Sequence, residues 1–306
     1  MDLNKFLLFL KCIDGIGDTT IRKLIDNNCF DKLEITNNED IFNWLCKIKQ
    51  EKYLSSKFDI KKFDKNSDGD YRSIRAARLE RKTTIENLEK IGGSYITYFD
   101  EKYPDEFRKM EDYPVILYYL GNIEALKANK KCAIIGTREP SEKAIEWGYK
   151  ISRYMTKNNY VVVSGLAQGC DTLGHQGCLD EKGITIAILG TPLKKIYPAE
   201  NKKLFNDIIA NNGLAITEYK IGELTKGYSF VQRDRLQAAL SDKVIAIQTS
   251  INGGTMHASK AANLKYNKEL YVCSPKIIDD GDCSGNKELI ENYNAIEIKD
   301  INDIIA

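Results

Sequence analysis

Histidine is scarce in this sequence: 306 residues contain 2, His175 and His257, each in a helical stretch after a glycine-rich loop. Neither belongs to an H-E-x-x-H, and no cysteine quartet or carboxylate cluster is present, so nothing points to a metal centre. Either histidine could act as a general base near Asp171 or Glu218, but a histidine so placed more often packs or caps. The 8 cysteines form no C-x-x-C pair, and a chain of this length does not depend on disulfides, which points to a reducing cytoplasm. An excess of one charge is also missing. The 45 Lys+Arg against 44 Asp+Glu leave +1, so any basic site has to be local. No apolar run approaches the roughly 18–20 residues of a membrane span, and the opening MDLNKFLLFLKC lacks the basic start and cleavage site of a secretory leader. The expectation is a cytoplasmic protein with no cofactor.

What is present is a regular alternation. The runs CAIIG (132–136), YVVVS (160–164), ITIAILG (184–190), LAIT (214–217), KVIAIQ (243–248) and LYVC (270–273) are separated by helical patterns. Such an order predicts an α/β fold, a doubly wound and mostly parallel sheet covered on both faces. Ala144, Gly148, Ile151 and Met155 share one face of a helix that begins near Ser141.

The N-terminal part differs. Residues 1–70 predict a small helical domain, 71–120 a connector, and 121–306 the Rossmann-like domain with its C-terminal tail. NSDGD (66–70) is the clearest break. CIDGIGDTTIRKLI (12–25) has the form of a helix-hairpin-helix, in which a Gly-x-Gly turn offers helix-start amides to a phosphate. With a single hairpin visible, packing against protein is an equal use. Arg72, Arg75, Arg78 and Lys82 make a basic stripe on the connector helix, suited to phosphates or to plain solvation.

Polar and glycine residues gather at the strand ends, where open α/β sheets bind ligands. These are Gly136, Thr137 and Arg138, then Ser164, Gly165 and Gly169, then Lys194, Lys195, Lys202 and Lys203, then Arg233 and Arg235, and last Asn252, Gly253, Gly254 and Thr255. Glycine admits a ligand to the main chain and the cations supply charge-assisted bonds to phosphate oxygens. Close helix–sheet packing selects glycine as well. Neither G-x-G-x-x-G with its later acid nor G-x-x-x-x-G-K-[ST] occurs, so dinucleotide and P-loop readings fall away and a polyanion remains.

In order, AIIGTR, VVSGLAQGCDTLGH, AILGTPLKKIYPAEN, TEYKIG, FVQRDRLQAALSDKVIAIQTSINGGTMHASKAA and SGNKELIENYNAIEIKDINDII resemble the motifs of the DprA/Smf family of DNA-processing proteins. The resemblance implies an extended Rossmann-like domain that dimerises, binds single-stranded DNA in a basic pocket, protects incoming DNA and helps load the RecA recombinase in natural transformation. It implies no catalysis, and it carries the DNA contacts onto the strand-end residues above. Asp234 departs from the pattern, standing where the family has asparagine between the two arginines, and INGGT replaces S-G-S. The winged-helix domain that often ends the family is not expected here. The alternative is a nucleotide-binding enzyme or sensor. GGT (253–255) is similar to part of the phosphoribohydrolase motif, but Met256, His257, Ala258 and Ser259 follow where the acid should stand.

Overall fold

The aliphatic runs of the second half are strands, and their alternate residues feed two separate cores. The computed structural model describes residues 2–31, 33–278 and 280–304. It divides into two compact units, residues 1–103 with 111–117 and residues 104–110 with 118–306.

The first unit holds α1 (Leu3–Leu10), α2 (Asp18–Asp26), α3 (Asn38–Gln50), α4 (Arg72–Glu89) and the strand β1 (Ser94–Thr97). Phe6 to Leu10 of α1 are all buried, the mark of a helix enclosed on every side. In the hairpin between α1 and α2, Gly15 takes a φ of +86°, a conformation that side chains resist. Phe58 packs on its bare Cα. Ile21, Leu24 and Ile25 line the buried side of α2, and a capping box of Asn37 and Asp40 starts α3. NSDGD is a turn, closed by the Asn66 N–H on the Asp70 carbonyl, directly before α4. The helix expected as a connector therefore belongs to the first unit. Three of the four cations of its basic stripe are engaged with neighbouring carboxylates: Arg72 with Asp68 at 3.2 Å, Arg75 with Asp70 at 2.8 Å and Lys82 with Glu86 at 3.8 Å. Pairs this exposed contribute well under about 1 kcal/mol each.

The second unit contains α5 (Asp105–Arg108), β2 (Ile116–Gly121, of which Tyr118–Gly121 lie here), β3 (Lys131–Ile135), α6 (Glu142–Lys157), β4 (Val161–Ser164), α7 (Cys170–Asp180) and β5 (Thr185–Leu189). There follow α8 (Lys202–Ala210), β6 (Leu214–Thr217), α9 (Gly227–Leu240), β7 (Lys243–Ala246), α10 (Thr255–Leu264), β8 (Glu269–Cys273), α11 (Ser284–Asn292) and β9 (Ile296–Ile298). Its strands lie in the order β2-β6-β5-β4-β3-β7-β8-β9. β2 runs antiparallel to β6 and the other pairs are parallel.

Cys132, Ile134, Val162 and Ile245 face Ala144, Ile151 and Met155 of α6. Their strand neighbours Ala133, Ile135, Val244 and Ala246 face Ala238 of α9, Met256 and Ala262 of α10 and Leu289 of α11. Each larger aliphatic buried this way stabilises the fold by about 1.5–3 kcal/mol. The period that predicted α6 holds, with Ser141 capping the helix and Ala144, Gly148, Ile151 and Met155 buried. Helix α7 crosses close by. An added Cβ at Gly177 would lie 2.8 Å from the Ser152 Cβ, and one at Gly174 would lie 3.1 Å from the Ile134 Cβ. Those two glycines serve packing. Among the described residues no helix is long and apolar enough to cross a membrane.

Candidate functional site

The strand order reverses between β3 and β7. From β3 the chain lays down β4, β5 and β6 to one side, then returns with β7, β8 and β9 on the other. The loops after β3 and β7 therefore diverge and leave a crevice at the carboxyl ends. There a cavity of ≈ 420 Å³ is lined by Gly136, Thr137 and Arg138, by Thr249, Ser250 and Gly253 to Thr255, and by residues of α7 and α9. Two buried amides fix its mouth. Gln248 takes the Thr137 N–H on its carbonyl at 2.7 Å and the Ser141 N–H on its side chain at 2.9 Å. Asn286 accepts from the Thr249 N–H at 2.7 Å and donates to the Ile247 and Cys273 carbonyls.

The loop after β4 departs from the expectation of bare backbone awaiting an anion, because the protein supplies its own. The Asp171 carboxylate accepts from the amides of Gly165 at 3.1 Å and Ala167 at 3.3 Å. Arg233 lies 3.6 Å from the same oxygen. A Cβ on Gly165 would overlap the Arg233 guanidinium, and one on Gly169, at φ +73°, would strike the Thr137 carbonyl. At Gly136 it would meet the Cys170 sulfur. The Ser164 hydroxyl is spent on the Ile134 carbonyl at 2.6 Å. These glycines are bare to admit protein atoms.

The two arginines of FVQRDR are likewise engaged. Arg233 is 4% exposed; it donates to the Ile188 carbonyl at 3.0 Å and its Nε stands 3.0 Å from Asp234. Arg235 makes a two-pronged pair with Glu218 at 2.7 and 2.8 Å. Both were expected to face a ligand, and the structure instead neutralises them in the wall. Burial, with the Asp171 charge acting in the same direction, pushes the Asp234 carboxyl up to about 6 against the pull of Arg233 and Arg138. Burial also raises Asp171, opposed chiefly by Arg233.

His175 has no catalytic reach. It is fully enclosed, and burial followed by the Arg233 charge pushes it down to about 3. Thr185 donates its hydroxyl to the Val162 carbonyl at 2.8 Å, so it accepts from Nδ1–H of His175 at 2.7 Å. His257 is exposed on α10.

The cations that do reach solvent surround this neutral interior. Arg138 is exposed, with its guanidinium 5.9 Å from the centroid of Phe230. Phe230 in turn packs on Tyr197 at 5.1 Å, and Tyr197 is 49% exposed. Lys194, Lys195, Lys202 and Lys203 are exposed in the segment after β5, Lys203 beside Asp207 at 2.8 Å. That segment is tied to the β4 loop by Asn201, which donates to the carbonyls of Leu166 at 2.9 Å and Ala167 at 3.2 Å. Phe230 and Asn201 were not singled out from the sequence, although each lies inside a motif that was. Asn252 and Gly254 are exposed, and at Gly254 an added Cβ would meet open space. The amides of Gly254 and Thr255 open α10 without a bond to any described residue, which leaves one helix start facing the crevice.

A doubly wound sheet with a cation-rimmed crevice at its switch point defines a Rossmann-like α/β binding protein. Residues 94–306 match the family of DNA recombination-mediator protein A, and the chain belongs to it. Protein Smf of Synechocystis sp. is 33% identical over 211 residues, 68% of this chain and 52% of that protein. The chain thus spans about half the length of this relative. A solved structure of DNA processing protein A from Helicobacter pylori, described by its single-stranded DNA binding mode, matches with TM-score 0.61 and 34% identity over 69% of this chain and 93% of that one. The structure of DprA from Streptococcus pneumoniae matches with TM-score 0.74 over 99% of this chain and 98% of its own, at 24% identity, and shares the fold.

Proposed function

We propose that the protein grips the sugar-phosphate backbone of single-stranded DNA across the strand-end crevice, without turnover. The observation that carries this reading is the group formed by Arg138, Phe230 and Tyr197, a cation over a half-buried ring that packs at a tilt of 44° on an exposed one. Such a pairing suits the phosphate and base of an unpaired strand. Exposed Lys194, Lys195 and Lys202 and the open amides of Gly254 and Thr255 extend the same chemistry. Single-stranded DNA binding by the Helicobacter pylori relative supports it. Arg233 and Arg235 enter this reading as supports of the wall, and Gly136, Gly165 and Gly169 as positions of close packing.

Further along the same reading, the bound strand is protected and handed to the RecA recombinase by a homodimer in the cytoplasm. The resemblance supports that extension. It is tested by the oligomeric state in solution and by recombinase filament growth on protein-coated strands. The site itself is tested with Arg138→Ala combined with Lys202→Ala and Lys203→Ala. A folded triple variant should bind an oligonucleotide at least about tenfold more weakly with a shallower salt dependence. Unchanged affinity rejects this site.

A further inference from the structure

Behind the cationic rim the cavity has a lining that phosphate would not use. Ile135, Phe230, Val231 and Ala258 give it apolar walls. Set into them are two acceptor side chains of α9. Gln237 is 1% exposed, and its Oε1 has no hydrogen-bond partner among the described residues. Asp234 also lines the cavity. Its Oδ1 accepts from Gln237 Nε2 at 3.2 Å and forms an ion pair with Arg233 Nε at 3.0 Å. The two side chains lie three positions apart on α9, hence on one helix face, and the bond between them locks carboxylate and carbonyl into a single acceptor edge.

An apolar slot with an acceptor edge selects a flat aromatic group that carries donors. Among the four DNA bases only guanine presents two adjacent donors, N1–H and the 2-amino group, on its pairing edge. Thymine has one N–H between two carbonyls, and adenine and cytosine set a single amino group beside a ring acceptor that a carboxylate repels. We propose that this cavity takes a guanine base from the bound strand, read by Asp234 and Gln237. The asparagine of the DprA/Smf pattern, donor and acceptor at once, could not discriminate in this way. The inference rests on the strand-binding reading and adds a base preference to it.

The test compares the wild-type protein on a short oligothymidylate and on the same strand with one central dG, deoxyinosine or dA, followed by fluorescence anisotropy. The dG strand should bind roughly tenfold tighter than oligothymidylate. Deoxyinosine, which lacks the 2-amino group, should lose most of the gain, and dA should give none. Asp234→Asn should still bind oligothymidylate and should treat dG and deoxyinosine alike. Equal wild-type affinity for dG and deoxyinosine overturns the proposal, as does a dG advantage that survives Asp234→Asn. It also fails if free dGMP binds as tightly as the dG strand, since the cavity would then serve a nucleotide. Failure to bind any strand overturns the strand-binding reading itself, whereas indifferent binding overturns only the base preference.

Discussion

At Gly165 the demand for a bare Cα comes from Arg233, whose guanidinium lies where a Cβ would be. Gly165→Ala should therefore displace a buried charge from Asp171 and Asp234 and cost about 3 kcal/mol, read as a lowered denaturant midpoint. A change below about 0.5 kcal/mol would contradict this packing. Asp234 gives a prediction with a definite pH window. Its carboxyl is raised from 3.8 to about 6, so between those values the native state holds more protons than the unfolded chain. The contribution of Asp234 to stability must then fall as pH rises from about 4 to about 6 and stay level above. Relative to Asp234→Asn, the wild type should lose about 2–3 kcal/mol across that window, measured by urea unfolding at each pH. The groups facing Asp234 are Arg233, Arg138 and Asp171, and all three remain in the variant. The sequence made these residues visible without their roles. Glycine beside a strand end carries the same signature whether a ligand or a guanidinium arrives, and what distinguishes them here is Arg233, 68 positions further along the chain.

Among the elements, the strands with continuous aliphatic runs, β3 to β8, were legible because burial on both faces confines their polar residues, such as Lys131, Ser164, Thr185 and Thr217, to the strand ends. β9 has three residues with only Ile298 buried, too short to show a period. The antiparallel pairing of β2 with β6 is a long-range choice that no local pattern carries. α4 was read as a connector because its outer face is polar, yet Ile74, Ala77 and Leu88 bury its inner face in the first unit. The loops that form the site are held by amides more than by glycines. Asn201 illustrates this, since its side chain satisfies the Leu166 and Ala167 carbonyls and the Thr172 hydroxyl. Asn201→Ala should cost about 1–3 kcal/mol, and it should speed amide exchange in both the 165–169 loop and the lysine segment. Faster exchange in only one of them would separate the two loops and contradict this coupling.

For the molecule as a whole, a net charge of +1 gives no general attraction to DNA, so affinity has to come from one face. The wall of the crevice pairs Arg233 with Asp171 and Asp234 and Arg235 with Glu218, and the surplus lies in Arg138 and the lysines after β5. A rim of about four cations with stacking rings favours a flexible strand that can bring phosphates and bases to it together, over a duplex whose bases are already stacked. The most direct measurement is a titration of a labelled single strand and of the same sequence as duplex, each at two salt concentrations. The account predicts tighter binding of the single strand, with log K falling against log salt at a slope of about −3 for about four phosphate contacts. Duplex binding of equal strength, or a slope near zero, would contradict it.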